Sequence, residues 1–462
     1  MHGYLGGESA IKVKLVAAAA LVGGATGAKA YGAFRKPKPL GVHYLEAPTK
    51  VLVVGGGCGG IPAVRALVRS LGGSREVGVA LLDRVNFTTF YPLVPRTISS
   101  TVEIGHLAHS IRNILTPLRV DFHQAEVEGV EFEAREIHSN KGSLAYDYLV
   151  LAPGSRTAFF DTTGVQENTV DLKGLREALQ VRNTIIDRFE EAQWLLGKFP
   201  DGLLTFVFVG GGPTGVEGAA AAHDLIYNVL KCDYPDVDFD RVRLVLVNSG
   251  QRILKDIDTS LSNAAIHRLA SENIEVINNT KVTEIRPDAV VLSDGPTIAA
   301  HTTVWAAGVE PGLLIKGLDV PKDAHGHILV DKFLRVKGRP GVYAVGDCIS
   351  IEGGPHLPAL AQSAEQEGKI AGHNLAAEIL GEPLTPFRYR SLGQLVDLGS
   401  TSALTNILGV KLSGLLGEAV WRLVYLKELG YNLNRAQVLA DWAIDRVTRP
   451  NASKLYEDPP AP

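Results

Sequence analysis

One short pattern occurs twice in this chain: an apolar strand that runs into G-x-G-x-x-G and then into a helix. In the first copy, KVLVVGGGCGG (50–60), the glycines are Gly55, Gly57 and Gly60, and IPAVRALVRSL continues with helical periodicity. In the second, LLTFVFVGGGPTG (203–215), they are Gly210, Gly212 and Gly215, followed by the small-residue stretch VEGAAAAHDLI. Glycine at these places permits a tight turn, close approach of backbone N–H groups to an anion at the helix N-terminus, and close packing of helix on strand. The motif carries weight here because strand and helix flank it in both copies.

The pattern predicts an α/β fold with two Rossmann-like dinucleotide-binding domains. The strand Val77–Leu82 ends in Asp83, 23 residues past Gly60, where a carboxylate accepts hydrogen bonds from an adenosine ribose. The matching strand of the second unit, Val242–Val247, ends in Asn248. A carboxylate there pairs with a 2′-OH and repels a 2′-phosphate, whereas Asn does neither, so discrimination between NADH and NADPH is weakened. Alternatively another group binds the ribose and NADH is still preferred; Arg252 either serves a 2′-phosphate or starts a helix. Two motifs 155 residues apart describe a flavin domain with a nicotinamide domain inserted in it. YDYLVLAPGS (146–155) reads as a strand returning to the first site. TVWAAG (303–308) does the same beyond the insertion, with Ala307 and Gly308 at its turn, and GVYAVGDCIS (341–350) ends in Gly346-Asp347, where a carboxylate meets the flavin's ribityl chain. The expected plan is a leader or anchor with linker over 1–49, FAD domain over 50–160 and 321–387, NAD(P)H domain over 161–320, and a C-terminal region over 388–462.

With these residues in view, the chain resembles the two-dinucleotide-binding-domain flavoproteins, and among them the type II NADH dehydrogenases, or alternative NADH:quinone oxidoreductases. The resemblance runs from Lys50 to about Arg449 and rests on GGGCGG (55–60), DRVNFTTFYPLVPR (83–96), GGGPTGVE (210–217), VWAAG (304–308), AVGDC (344–348) and PALAQSAEQEG (358–368). It implies that Gly55, Gly57, Gly60, Asp83 and Asp347 hold FAD, and that Gly210, Gly212, Gly215 and Glu217 receive the nucleotide, with Glu217 near the nicotinamide. Gln362 and Gln366 would lie beside a quinone pocket. The implied activity is hydride transfer from NADH or NADPH to FAD N5, then two-electron reduction of a membrane quinone without proton pumping, by a homodimer. Cys58 departs from the aromatic residue common in the family's first loop, and Asn248 from its common acid. A specialised naphthoquinone reductase of quinone biosynthesis would share every motif. A soluble ferredoxin or rubredoxin reductase would lack the apolar C-terminal region, and a redox-sensing flavoprotein would bind both nucleotides yet turn over slowly.

Other classes are excluded. Lys+Arg 46 against Asp+Glu 50 leaves a net charge of −4, which argues against a nucleic-acid partner held by phosphate attraction. Cys58, Cys232 and Cys348 are far apart, so no CxxC pair, zinc knuckle or disulfide framework exists, and each reads as a buried small residue in a reducing compartment. No metal site is expected: DYPDVDFD (233–240) fails the EF-hand pattern at Arg241 and Val247. HLAH (106–109) and HGH (325–327) read as surface histidines.

The run LVAAAALVGGATGA (15–28), flanked by Lys12, Lys14, Lys29, Arg35, Lys36 and Lys38, reads as a membrane anchor, a leader or, third, an export signal. Residues from Pro37 to Thr49 read as a linker. After Phe387, residues 404–429 are rich in Leu and Val with Trp421 and Tyr425; they read as core helices of a dimer interface or as a mainly helical surface docking on a lipid bilayer. The expected location is peripheral, on the cytoplasmic face of the cell membrane.

Overall fold

The computed structural model describes residues 38–448 apart from 294, 355 and 356, together with residues 452–454. The apolar leader and the tail from Glu457 lie outside the described residues. Two five-stranded parallel sheets organise the rest. In the first, β1 (Thr49–Val54) lies between β2 (Val77–Asp83) and β4 (Tyr148–Leu151), with β3 (Asp121–Gln124) and β12 (Val342–Ala344) on the edges. In the second, β7 (Thr205–Val209) lies between β8 (Arg243–Val247) and β10 (Thr302–Trp305), with β9 (Ile274–Ile277) and β6 (Val170–Asp171) outside them. The orders match position for position, so each glycine loop leaves a central strand and each Asp83 or Asn248 position follows the strand beside it. Both central strands are apolar runs because both faces are covered.

Two short strands, β5 (Ser155–Thr157) and β11 (Val309–Pro311), pair antiparallel where the chain crosses between the sheets. Helix α1 (Gly60–Leu71) buries Ile61, Ala63, Val64, Leu67, Val68 and Leu71, a stripe of helical period, and stops at Gly72 with φ +64°. The short helix α2 (Pro95–Ile98) follows β2. Helices α3 (Leu175–Trp194) and α5 (Thr259–Ser271) add Ile185, Phe189, Ala265 and Leu269 to the core of the second sheet, and α4 (Pro213–Asp224) leaves its glycine loop. Helix α6 (Ala361–Leu380) crosses α1 so closely that a Cβ at Gly368 would stand 2.1 Å from Gly59 O, and one at Gly372 2.1 Å from Ala63 O.

Four expectations are corrected. Residues 38–48 are no free linker: Leu40 and Tyr44 are buried in the first core, Leu40 N–H donates to Leu118 O and Tyr44 N–H to Asp121. Residues 404–429 do not begin as a helix. They start in the three-stranded antiparallel sheet β13 (Gln394–Asp397), β14 (Ala403–Ile407) and β15 (Val410–Leu412), turned at Leu408-Gly409, both with positive φ. Helices α7 (Gly414–Glu428) and α8 (Asn432–Val447) follow, and Trp421, Val438 and Trp442 join the core of the second sheet. HLAH is not a free surface: His106 Nδ1 lies 2.7 Å from Asp441, and the His109 ring stacks on Tyr431 at 3.3 Å, both on the C-terminal segment. Of the cysteines only Cys348 is buried; Cys58 is half-buried and Cys232 exposed.

The α1–α6 contact generates a prediction. Gly372→Ala drives a methyl into backbone that cannot swing aside, and is expected to cost about 1–3 kcal/mol in denaturant unfolding. Gly129→Ala, with nothing within 4 Å of its Cβ, is expected to stay within about 0.5 kcal/mol. Equal effects would contradict this packing.

Candidate dinucleotide sites and the buried charge cluster

The first glycine loop is tight at its ends and open in the middle. Gly55 has φ +103°, and a Cβ there would stand 2.1 Å from Ala152 O; one at Gly60 would stand 1.8 Å from Gly55 O. At Gly57 a Cβ would meet nothing within 4 Å. Bare backbone therefore faces open space at the N-terminus of α1, the shape that receives a pyrophosphate. Asp83 holds the loop from the side: its carboxylate accepts Gly56 N–H at 2.6 Å and Val85 N–H at 2.9 Å, while burial pushes its pKa up against these bonds. Burial also pushes the Cys58 thiol up to about 12, so it is no thiolate nucleophile.

Gly346, at φ +83°, and Asp347 close the same cradle. Asp347 accepts a 2.6 Å hydrogen bond from Ser155 Oγ, which itself accepts one from Lys173 Nζ at 2.7 Å. Lys173 comes from the loop after β6, so the second sheet's domain reaches the first site through this chain. Burial draws the Lys173 pKa down, with Asp347 and Asp171 opposing. Gly346 N–H donates to Glu367 Oε2 at 2.6 Å. Burial pushes Glu367 up to about 7, the Gly346 bond opposing and Asp347 adding to the rise. Backbone exposed by glycine, a carboxylate for ribose and a second carboxylate beside Gly346 fit FAD.

The second loop repeats the geometry. Gly210 has φ +125°, and a Cβ there would stand 2.3 Å from Ala306 O and 2.8 Å from Ala307 Cα; one at Gly215 would stand 1.9 Å from Gly210 O. Gly212 is open, as Gly57 is. Gly308 faces Phe160, 3.0 Å from its would-be Cβ, and lies beside the loop through Ala307. Asn248 is buried and spends its amide locally: Nδ2 donates to Gly250 O and Asn278 Oδ1, and Oδ1 accepts Gly250 N–H. Arg252 donates to the carbonyls of Leu254, Lys255 and Ile257, so its guanidinium is engaged within its own loop.

Glu217, on α4, points into protein. It is buried, and its Oε1 accepts Asp397 N–H at 3.0 Å from β13. Burial, with Asp397 adding to it, pushes Glu217 up to about 8, against Arg96 and the Asp397 N–H. Behind it the fully buried Arg96, on α2, pairs with Asp397 and Glu418, donates to Gly399 O, and lies 4.9 Å over the Trp421 ring. Asp224 ends the same helix as Glu217 and accepts Ser400 N–H at 2.6 Å. Asp397 and Glu418 thus pair with one fully buried cation, Glu217 and Asp224 are buried around them through the Asp397 and Ser400 N–H groups, and Arg422 reaches the Glu418 edge. Burial pushes Asp397 up to about 7 despite Arg96. A cavity of about 660 Å³, lined by Asp224, Ser400, Glu418, Arg422 and Asp445, reaches the cluster from outside.

Gln362 and Gln366 stand one turn apart on α6, and their amides are engaged by one strap of chain. Gln362 donates to Gly393 O and accepts Leu392 N–H; Gln366 donates to Arg390 O and accepts Arg390 N–H. Sequence reasoning missed Lys173, Ser155, Glu367, Arg96, Asp397 and Glu418. Arg96 closes DRVNFTTFYPLVPR and Glu367 lies within PALAQSAEQEG, but nothing in their spacing announces burial, and Asp397 and Glu418 carry no motif at all.

The cluster makes a stability prediction. Arg96→Met leaves Asp397 buried without a cation and Glu418 with Arg422 alone, at a cost of about 3–5 kcal/mol near pH 8. Carboxyls whose folded pKa exceeds the unfolded value bind protons on folding, so stability is present at low pH and lost as pH rises through 7–8. The variant's deficit is therefore expected to shrink toward about pH 5; a deficit equal at both pH values in denaturant melts would contradict it.

Comparison with known proteins speaks to the family and the fold. Residues 49–368 match the profile of the pyridine nucleotide-disulphide oxidoreductase family. A probable NADH dehydrogenase of Dictyostelium discoideum is 30% identical over 404 residues, covering 85% of this chain and 88% of that protein. The internal alternative NAD(P)H-ubiquinone oxidoreductase A1 of Arabidopsis thaliana mitochondria is 30% identical over 448 residues, covering 86% and 85%. The solved structure of NDH2 from Plasmodium falciparum in complex with NADH shares the fold, with a TM-score of 0.79 over 88% of this chain and all of that one at 21% identity. A match of this length is membership: the chain belongs to the pyridine nucleotide-disulphide oxidoreductase family, in its type II NADH dehydrogenase branch.

Proposed function

We propose that this protein is an FAD-dependent, non-proton-pumping NAD(P)H:quinone oxidoreductase. The observation that carries the reading is the repeated glycine cradle, open at Gly57 and at Gly212 on two sheets of one strand order. The relatives named NADH dehydrogenase and NAD(P)H-ubiquinone oxidoreductase, aligned over most of their length, support it. FAD, when bound, accepts a hydride from the nicotinamide and hands two electrons to a quinone.

The chain's own residues have three tasks. Gly55, Gly57, Gly60, Asp83, Gly346 and Asp347 bind and orient the FAD, with Lys173 and Ser155 fixing the Asp347 carboxylate. Gly210, Gly212, Gly215, Ala307 and Gly308 receive the nicotinamide nucleotide. Asn248 supplies no carboxylate to repel a 2′-phosphate and Arg252 is spent on carbonyls, which favours acceptance of both NADH and NADPH with modest preference. Glu217, neutral at pH 7, holds a proton beside this cradle, with Asp397 and Arg96 behind it. Gln362 and Gln366 act through the 390–393 strap, which places the exposed Leu392 at the edge of the α6 N-terminus and shapes the quinone's approach.

Leu415, Leu416 and Leu423 on α7 and Leu433, Ile444 and Val447 on α8 are exposed. We assign this apolar surface to a lipid bilayer, from which a long-tailed quinone is drawn, with the protein attached peripherally at the cytoplasmic face as a homodimer. Among the described residues no helix is long and apolar enough to cross a membrane.

Separate half-reactions test the assignment. Gln362→Ala is expected to slow flavin reoxidation by a water-soluble quinone on the order of tenfold, the scale of a lost positioning contact. Anaerobic flavin reduction by NADH or NADPH should stay within about twofold. Equal loss in both would remove Gln362 from the quinone side, and no reduction by NADPH would contradict the reading of Asn248. Docking is tested by co-sedimentation with anionic vesicles: the Leu415→Glu, Leu423→Glu double variant should lose binding while its flavin reduction persists. Unchanged binding would move the membrane surface elsewhere.

A further inference from the structure

Glu367 has no task in the reaction above, yet its place is unusual. It is 3% exposed, and its carboxyl accepts a hydrogen bond from Gly346 N–H. It forms no ion pair among the described residues. It lies directly behind the first glycine loop: the next residue, Gly368, leaves only 2.1 Å between a would-be Cβ and Gly59 O, and Ala364, one turn earlier, stands 3.5 Å from a would-be Cβ on Gly346. A carboxylate so placed feels the charge of Asp347 and backs the loop that would hold the pyrophosphate. Asp347 already has its donor in Ser155, backed by Lys173. Glu367 has no cation, and a buried charge without a partner neutralises instead of ionising.

We propose that Glu367 is a proton-linked determinant of cofactor retention: FAD occupies the first cradle with Glu367 in its neutral form, so that binding takes up one proton from solvent. The inference rests on the FAD reading of that cradle. The proton goes to the Glu367 carboxylate, and no other bond is made or broken. The remaining titratable neighbours do not compete. From the loop before α1 comes Cys58, its thiol pushed to about 12 by burial, and from the loop after β12 comes Cys348, pushed up further by the same cause. On α6 itself Glu365 pairs with Lys369, and on α1 Arg65 is turned to Tyr431. Lys173 faces Asp347 through Ser155.

The sign follows from burial, which pushes Glu367 up to about 7. Bound pyrophosphate raises it, so below about pH 7 the group is neutral in both states and affinity is flat. Above that, each pH unit weakens FAD binding by up to about tenfold until the bound form also ionises.

The experiment dilutes the yellow holoenzyme to nanomolar concentration across about pH 6 to 9 and reads released FAD by its fluorescence. Wild type is expected to lose FAD affinity by at least about tenfold over this range, and Glu367→Gln, a neutral isostere that still accepts Gly346 N–H, to hold FAD with a flat profile. Lys173 and Asp347 are common to both proteins, so the difference reports Glu367 alone. Identical pH profiles, or a flat wild-type profile, would overturn the proposal. A second measurement needs no variant: in weakly buffered solution near pH 8 a pH-indicator dye should register about one proton released per FAD dissociated, and none released would overturn it. A protein that binds no FAD at any pH would instead overturn the cofactor reading beneath.

Discussion

One buried guanidinium holds three parts of this chain together. Arg96 arrives on α2, between β2 and β3 in the chain, Asp397 on the C-terminal sheet and Glu418 on α7, while Glu217 and Asp224 project from α4 beside the second sheet. A cation taken wholly out of water needs matching charge with good geometry. Arg96 has two carboxylates, a carbonyl and the face of Trp421. Burial, with Asp397 adding to it, pushes Glu217 up to about 8 although Arg96 pulls the other way, which favours its neutral form at pH 7. The cluster that docks the C-terminal region thus lies behind the acid on α4, Asp397 raising its pKa and Arg96 lowering it.

The rest of the architecture is a repetition. Each sheet sends a central strand into a glycine loop, sets a side chain from the adjacent strand beneath it, and returns a strand whose carbonyl lies against the first glycine: Ala152 in one copy, Ala306 in the other. The copies differ in the side chain set beneath the loop. Asp83 binds the backbone of its own loop through Gly56, whereas Asn248 turns to Gly250 and Asn278. The first copy is also joined by Gly346, Asp347 and Glu367, linked through the Gly346 N–H to Glu367 and the Ser155 hydroxyl to Asp347.

What was legible in the sequence is what backbone geometry demands. Gly55, Gly60, Gly210 and Gly215 admit no Cβ, so their spacing announces the loops, and apolar strands buried on both faces announce the sheets. Long-range pairing was not legible. Nothing in the one-dimensional pattern brings Arg96 to Asp397, 301 positions away, or lays the 390–393 strap across Gln362 and Gln366. Apolar content misled where topology decides: the run after residue 404 opens as a hairpin because Leu408-Gly409 turns the chain, and the segment before Thr49 packs because Leu40 and Tyr44 find the first core.

The central claim is that the two cradles hold different nucleotides that meet for one redox cycle. Its most direct test mixes the purified yellow protein anaerobically with one equivalent of NADH, follows flavin bleaching, and then adds a quinone analogue. The account predicts complete bleaching of one flavin per chain and full recovery of colour on quinone addition. Bleaching without recovery would keep the fold and assign another acceptor, and no bleaching with either NADH or NADPH would contradict the account.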